Sequence, residues 1–378
     1  MREDYLFDFY KGKKVFVTGH TGFKGTWLCR ILLDAGAIVY GYSMPSPTNP
    51  NLYSMSGVDE HPNMHSTLGD VRNLATMQSA FYEAEPEIVF HLAAQPIVRD
   101  SYKEPVYTYE TNVMGTVHIC ECVRRTTSVR SFLNVTTDKV YLNREWEWGY
   151  REDEPLDGYD PYSNSKSCSE LITHSYINSF FGGNKGTDEA GNRISVSTAR
   201  AGNVIGGGDF SNDRIIPDCI RAMEAGRPII VRNPHSTRPY QHVLEPLYAY
   251  LMIAAGQYED PAKAGYYNVG PDDADCYTTG RLVTLFCDKW NEKALSGEKK
   301  DSDVLSREAG WIDSFDGGPH EAGFLKLDCS RLKRVFDWKP RWSVEDAMER
   351  IIDWTRVYYE NGDIPACMDA QIKEFFGG

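Results

Sequence analysis

The feature that most constrains this chain is a glycine-rich turn placed where an apolar run ends and a helical pattern begins. The run is KKVFVT at 13–18, and the turn is TGHTGFKG at 18–25. Immediately after it, Trp27, Leu28, Ile31, Leu32 and Ala35 recur at helical spacing. A strand that passes through such a turn into a helix reads as a dinucleotide site. Gly19 permits the tight turn, Gly22 lets the backbone approach a pyrophosphate, and Gly25 lets the helix pack close to the strand. The helix N-terminus adds free N–H groups and a partial positive charge. The spacing is GxxGxxG rather than GxGxxG, so the strand–helix context carries the reading, against the alternative of a purely structural turn. Lys24, inside the loop, either reaches phosphate or stays solvated.

Further apolar runs predict strands at 37–42, 87–92, 131–137 and 194–199. Helical patterns fall between them at 26–35, 106–127 and 162–181. Strands alternating with helices give an α/β fold, a Rossmann-type doubly wound parallel sheet covered on both faces. The second half is more mixed, with helices expected at 214–226, 244–256 and 343–360, strands at 228–232 and 265–269, and loop over most of 291–323. A chain of 378 residues exceeds one small core. Residues 1–200 are therefore assigned to the dinucleotide-binding domain, with segments near 240–272 returning to it. Residues 201–239 and 273–378 form mainly a smaller mixed α/β substrate lobe.

A net charge of −14 argues against a broad nucleic-acid surface. Nine scattered cysteines without a CxxC pair fit reduced thiols and a cytoplasmic protein, and no Cys/His group has metal-ligand spacing. The N-terminal stretch MREDYLFDFYKGKK lacks a leader's apolar core, and no stretch has the length of a membrane span.

The second strand should end beside the adenosine ribose. It ends YGYSMP, with Ser43 where an acidic residue is common, and no Lys or Arg lies between Arg30 and Arg72. A 2′-phosphate would find no local cation, which favours NAD over NADP. The missing carboxylate also predicts a weak grip on NAD.

YSNSK, Tyr162 to Lys166, places a phenol and an ammonium four residues apart on one helix face. A nearby cation favours phenolate, which would make Tyr162 a base for a sugar hydroxyl. Thr137 lies 25 residues upstream at the end of a predicted strand and supplies a hydroxyl donor. Lys166 would also hold the nicotinamide ribose.

This trio, together with TGxxGxxG, resembles the extended short-chain dehydrogenase/reductase family. GDVR (69–72), HLAAQ (91–95), NVMGT (112–116) and RAGNVIGGG (200–208) agree with it. The resemblance implies coenzyme contacts at Gly19, Thr21, Gly22, Phe23, Gly25, Ser43, Asp70, Val71, Ala93, Ala94, Gln95, Tyr162 and Lys166. Within the family, TTDKVY, EWEWGYRE, RNPHSTRPYQHVLEPL and NVGPDDAD resemble the CDP-glucose 4,6-dehydratase group, from about Lys13 to about Trp354.

That resemblance implies dehydration of CDP-glucose to its 4-keto-6-deoxy product, with NAD reduced and reoxidised in one turnover. Asp138 would be the acid for the leaving hydroxyl. The dTDP- and GDP-sugar dehydratases carry Asp-Glu here, whereas this chain has Asp138-Lys139. Lys139 would act either as base or as enolate stabiliser, and adjacent strand residues would point to opposite faces. Arg214, Arg238, Asn203 and Asn268 form the implied nucleotide-sugar set. Trp146, Trp148 and Tyr150 alternate, as either a lid or an aromatic ridge, and His91 reads as packed rather than catalytic. Pairing through helices 106–127 and 162–181 would give a homodimer or homotetramer. The alternatives are another nucleotide-sugar epimerase or decarboxylase of the family, or a non-catalytic NAD-binding protein.

Overall fold

The computed structural model describes residues 3–182, 194–295, 303–314 and 323–377. Seven parallel strands form one sheet. They are β1 (Lys14–Thr18), β2 (Ile38–Ser43), β3 (Met64–Leu68), β4 (Ile88–His91), β5 (Ser131–Val135), β6 (Ser195–Ala201) and β7 (Tyr266–Val269). Their order is β7-β6-β5-β4-β1-β2-β3, with every pairing parallel. The chain reverses direction of winding between β1 and β4, the place where ligands enter such sheets beyond the strand ends.

Strand β1 shows why both faces are covered. Val15 and Val17 join one core with Trp27 and Leu28 of α1 (Phe23–Asp34), while Phe16 joins another with Phe81 of α2 (Leu74–Ala84). All residues of β4, β5 and β6 are buried, which explains their near-continuous apolar or small composition. The edge strand β3, MHSTL, buries only Met64 and was not expected from sequence.

The helix expected over 106–127 is Pro105–Tyr109, a π turn at Glu110–Met114, then α3 (Gly115–Arg124). The next, α4 (Pro161–Ser179), starts on an Asp160 cap that accepts the Ser163 N–H, with Pro161 in the first turn. Beyond the sheet come α5 (Ile215–Glu224), α6 (Leu244–Glu259), α7 (Thr279–Leu295), α8 (Val344–Tyr359) and α9 (Ile364–Gly377). A core containing Ile216, Phe286, Trp290 and Ile351 joins α5, α7 and α8. Strand β7 lies in the sheet, and α6 packs against β5 and β6. Helix α9 departs from the assignment of 273–378 to the smaller lobe, because Met368, Ile372, Phe375 and Phe376 join the sheet-side core with Trp27.

The stretch 291–323, expected as loop, begins inside α7 and contains a short helix at Asp303–Ser306 and a strand at Trp311–Asp313; the rest lies outside the described residues. Trp146 and Tyr150 are not on a strand. They stack 5.4 Å apart on the core, and Trp148 is 70% exposed, which fits the ridge rather than the lid. Among the described residues no helix is long and apolar enough to cross a membrane, and no cluster of His, Cys, Asp or Glu could hold a metal ion.

Candidate active site

A cleft of about 1000 Å³ opens between the ends of the strands and the second lobe. Thr137, Lys139, Tyr162, Lys166 and Asn203 all line it, so residues far apart in sequence converge there.

The chain leaving β5 does not continue as a strand. Thr137 caps a single 3-10 turn, Asp138–Val140, and so Asp138 and Lys139 do not diverge to opposite faces as expected. Instead the Lys139 Nζ stands 3.4 Å from Asp138 Oδ1 and 3.5 Å from Asn203 Oδ1. The Thr137 hydroxyl donates to the same Asp138 oxygen at 3.0 Å. Asp138 is fully buried, and its other oxygen, Oδ2, has no hydrogen-bond partner. Room for that oxygen comes from Gly202, where an added Cβ would lie 2.0 Å from it.

Tyr162 and Lys166 occupy one face of α4, both buried. Lys166 Nζ donates to the Val135 carbonyl at 3.1 Å. Burial lowers the Lys166 amine to about 8, against the opposing pull of Glu170. The Tyr162 phenol is pushed up to about 12 by burial, with a Thr137 hydrogen bond acting the other way. The expected lowering of the phenol is therefore not built into the protein alone, because burial sets the direction.

The glycine loop fits a dinucleotide. Gly19 has φ +78°, and an added Cβ would sit 2.8 Å from the Ala93 nitrogen; at Gly25 it would sit 2.1 Å from the Gly19 oxygen. At Gly22 the closest atom would be 3.4 Å away, so its outer side is open to an approaching diphosphate. Phe23 opens α1 and packs against the sheet-side core. Thr21 Oγ1 lies 2.9 Å from Ser43 Oγ, tying the loop to the end of β2. Asp70 holds Arg72 at 2.6 Å, which depresses its carboxyl, and the Val71 carbonyl bonds His118. Ala94 lines the cleft, Ala93 backs Gly19, and Gln95 spends its side chain on Ile97 and Thr108. His91 is packed as expected, with Nδ1 2.8 Å from the Thr18 hydroxyl.

Arg214 and Arg238 line the far wall of the cleft, Arg214 paired with Asp209 at 3.2 Å. Asn268 does not reach it. Its amide donates to the carbonyls of Tyr150 and Asp328, and its oxygen accepts from Tyr141, so a buried structural network uses the whole side chain.

The sequence profile of the GDP-mannose 4,6 dehydratase family matches residues 16–351. The chain belongs to this family. It is 43% identical to a CDP-glucose 4,6-dehydratase from Salmonella typhimurium, over 97% of each chain. Among solved structures, it resembles dTDP-glucose 4,6-dehydratase from Bacillus anthracis in complex with NAD, with TM-score 0.70 and 19% identity, covering 90% of this chain and 95% of that one. A UDP-glucuronic acid 4-epimerase from Bacillus cereus, in complex with UDP-glucuronic acid and NAD, gives TM-score 0.72 and 20% identity over 91% and 99%.

Two features of this family member escaped the sequence reading. Glu170 and Arg200 form a buried ion pair at 2.9 Å, and Glu170 also accepts from Thr136 and Thr198. The available signal was spacing, since Glu170 follows Lys166 by four residues on α4. Asn112, in the π turn, bonds the backbone of Gln95 at 2.8 Å and Ser165 at 2.9 Å, fixing the loop after β4 to α4.

Proposed function

We propose that the protein is an NAD-dependent nucleotide-sugar 4,6-dehydratase that converts CDP-glucose to CDP-4-keto-6-deoxyglucose and water. The observation that carries this reading is the 43% identity over 97% of both chains with a CDP-glucose 4,6-dehydratase. The Thr137–Asp138–Lys139 turn at the cleft supports it. NAD, when bound, supplies the acceptor for hydride from carbon 4 and the donor that returns it to carbon 6. Tyr162 takes the proton of the 4-hydroxyl, and Thr137 hydrogen-bonds the same oxygen. The 4-ketone then acidifies the proton on carbon 5. One proton held between Asp138 and Lys139 serves the elimination: Asp138 gives it to the departing 6-hydroxyl, and Lys139 takes the one from carbon 5. As hydride returns to carbon 6, Lys139 gives its proton back to carbon 5, and the proton that Tyr162 took from the 4-hydroxyl passes by way of Thr137 to Asp138, which restores the pair. Arg214 and Arg238 hold the diphosphate, with Asn203 beside them.

Exposed Val106 and Met114 in 105–124, Leu171 on α4 and Phe180 just beyond it support a homodimer or homotetramer paired through these helices. The nine free thiols support a reducing, cytoplasmic setting. The test is incubation with NAD and CDP-glucose, UDP-glucose or dTDP-glucose in turn, reading the alkaline absorbance of a 4-keto sugar. CDP-glucose should turn over fastest. A sugar product isomeric with the substrate, without loss of water, would replace this reading with an epimerase.

A further inference from the structure

Gln241 lies behind the wall of the cleft rather than in it, and it is almost wholly buried. Its side-chain nitrogen donates to two backbone carbonyls, that of Gly202 at 3.3 Å and that of Val269, at the end of β7, at 3.0 Å. Its backbone N–H donates to the next carbonyl along, that of Asn203, also at 3.3 Å. Gln241 and His242 then pair with Val204 and Ile205, which follow directly. One residue thus grips two successive carbonyls at 202–203, beyond the end of β6, and ties them to the edge strand of the sheet. The amide oxygen, buried too, has no hydrogen-bond partner, so the two donated bonds alone set the amide's orientation. Turned over, it would aim an oxygen at two oxygens.

What stands against that turn gives the grip a purpose. Gly202 abuts the Asp138 carboxyl, since an added Cβ would lie 2.0 Å from Oδ2. Asn203 presents its Oδ1 3.5 Å from the Lys139 ammonium. Asn203 also has φ +32°, a backbone conformation that a residue with a side chain keeps only where its surroundings hold it. Each member of the acid–base pair therefore rests on one residue of the turn that Gln241 holds.

We propose that Gln241 is a positioning residue for the dehydration. Through Gly202 and Asn203 it sets where the Asp138 carboxyl and the Lys139 ammonium stand against the substrate. The inference rests on the dehydratase reading above. A buried glutamine that served only as packing could give way to an apolar side chain of like size with a loss of stability and no change in the chemistry. Here the loss falls on one half of the reaction. Hydride transfer from carbon 4 uses Tyr162, Thr137 and NAD, none of which the Gln241 side chain holds. Elimination uses the pair that rests on the turn.

The test is single-turnover mixing of Gln241→Leu with NAD and CDP-glucose, following NADH absorbance and the 4-keto-6-deoxy product together. NADH should appear at a rate within a few-fold of wild type and then persist, because the 4-keto hexose waits for elimination. Product formation should slow by about tenfold to a hundredfold, the scale on which a small misplacement of a catalytic group is felt. KM for CDP-glucose should stay within a few-fold. Gln241→Glu has nearly the same shape but offers acceptors in place of donors, and it should show the same split even if the leucine variant does not fold. A matched fall in NADH appearance and in product would make Gln241 a residue of general packing and overturn the proposal, as would product formation at the wild-type rate. Wild type that acted on CDP-glucose without loss of water would overturn the dehydratase reading itself, and this inference with it.

Discussion

At the scale of single residues, the chemistry turns on where Asp138 and Lys139 point. If the pair shares one proton, Lys139→Met should stop elimination while leaving hydride transfer from carbon 4. The expected result is loss of 4-keto-6-deoxy product by at least a hundredfold, with NADH absorbance still appearing in single-turnover mixing; normal product formation would remove Lys139 from the reaction. Gly202→Ala probes the same carboxylate without touching it. The added methyl would lie 2.0 Å from Asp138 Oδ2, so the carboxyl must turn away. We expect kcat to fall by about two orders of magnitude, the order of a general acid's contribution, with NAD affinity unchanged. Tyr162, Lys166 and Thr137 were legible in the sequence because residue type and helical spacing already fix which atoms share a face. The Asp138–Lys139 contact was not legible. It depends on a turn replacing a strand at position 138, and TTDKV reads equally well as either. Asn268 misled for a related reason: a polar side chain near a strand end looks alike in sequence whether it meets a ligand or a buried network.

At the scale of elements, α4 does two jobs with one stripe. Tyr162 and Lys166 face the cleft, and Glu170, a turn further on, anchors Arg200 of β6. Removing one member of a buried ion pair strands the other, at a cost of about 3–5 kcal/mol. Glu170→Ala should therefore lower unfolding free energy by that amount in urea titrations, whereas a loss below about 1 kcal/mol would mean that water reaches Arg200. The buried central strands were readable because both faces need apolar or small residues. The edge strand β3 was not, since four of its five residues face solvent and carry no such pattern. The π turn at Glu110–Met114 was equally hidden: one extra residue in a helix leaves its periodicity nearly intact while rotating Asn112 towards Gln95 and Ser165.

At the scale of the molecule, the absence of an acid at the end of β2 leaves the adenosine ribose without its usual partner. Purified protein should therefore need added NAD for full activity, and full turnover without it would contradict a weak grip. Stability should also depend on pH with a definite sign. Burial holds His20 at about 4 and both His91 and His242 at about 3, below their free value. Their contribution is present above about pH 6.5 and is lost as pH falls. Burial acts oppositely on Glu245, raised to about 7, and on Asp34, a residue exposed at the end of α1 whose carboxyl is raised to about 6 by desolvation and then by nearby Asp369. Their contribution is present at low pH and is lost as pH rises through those values. Between about pH 6.5 and 5 the three histidines outweigh the two carboxyls by about one proton, or ~1.4 kcal/mol per pH unit. Urea midpoints should drop on acidification, and Glu245→Gln, which removes one offset, should steepen the drop; a flat profile would mean that the histidines are not held neutral.

Helix α9 has a consequence for how the protein is made. Its Met368, Ile372, Phe375 and Phe376 complete the core beneath α1, the helix that begins at the glycine loop. During synthesis α1 emerges early, yet it cannot form its Arg30–Asp369 ion pair or complete this core until residues more than 330 positions later have left the ribosome. That core must wait, partly open, for α9, and a nascent chain stalled just short of Ile364 should still be open to protease at α1.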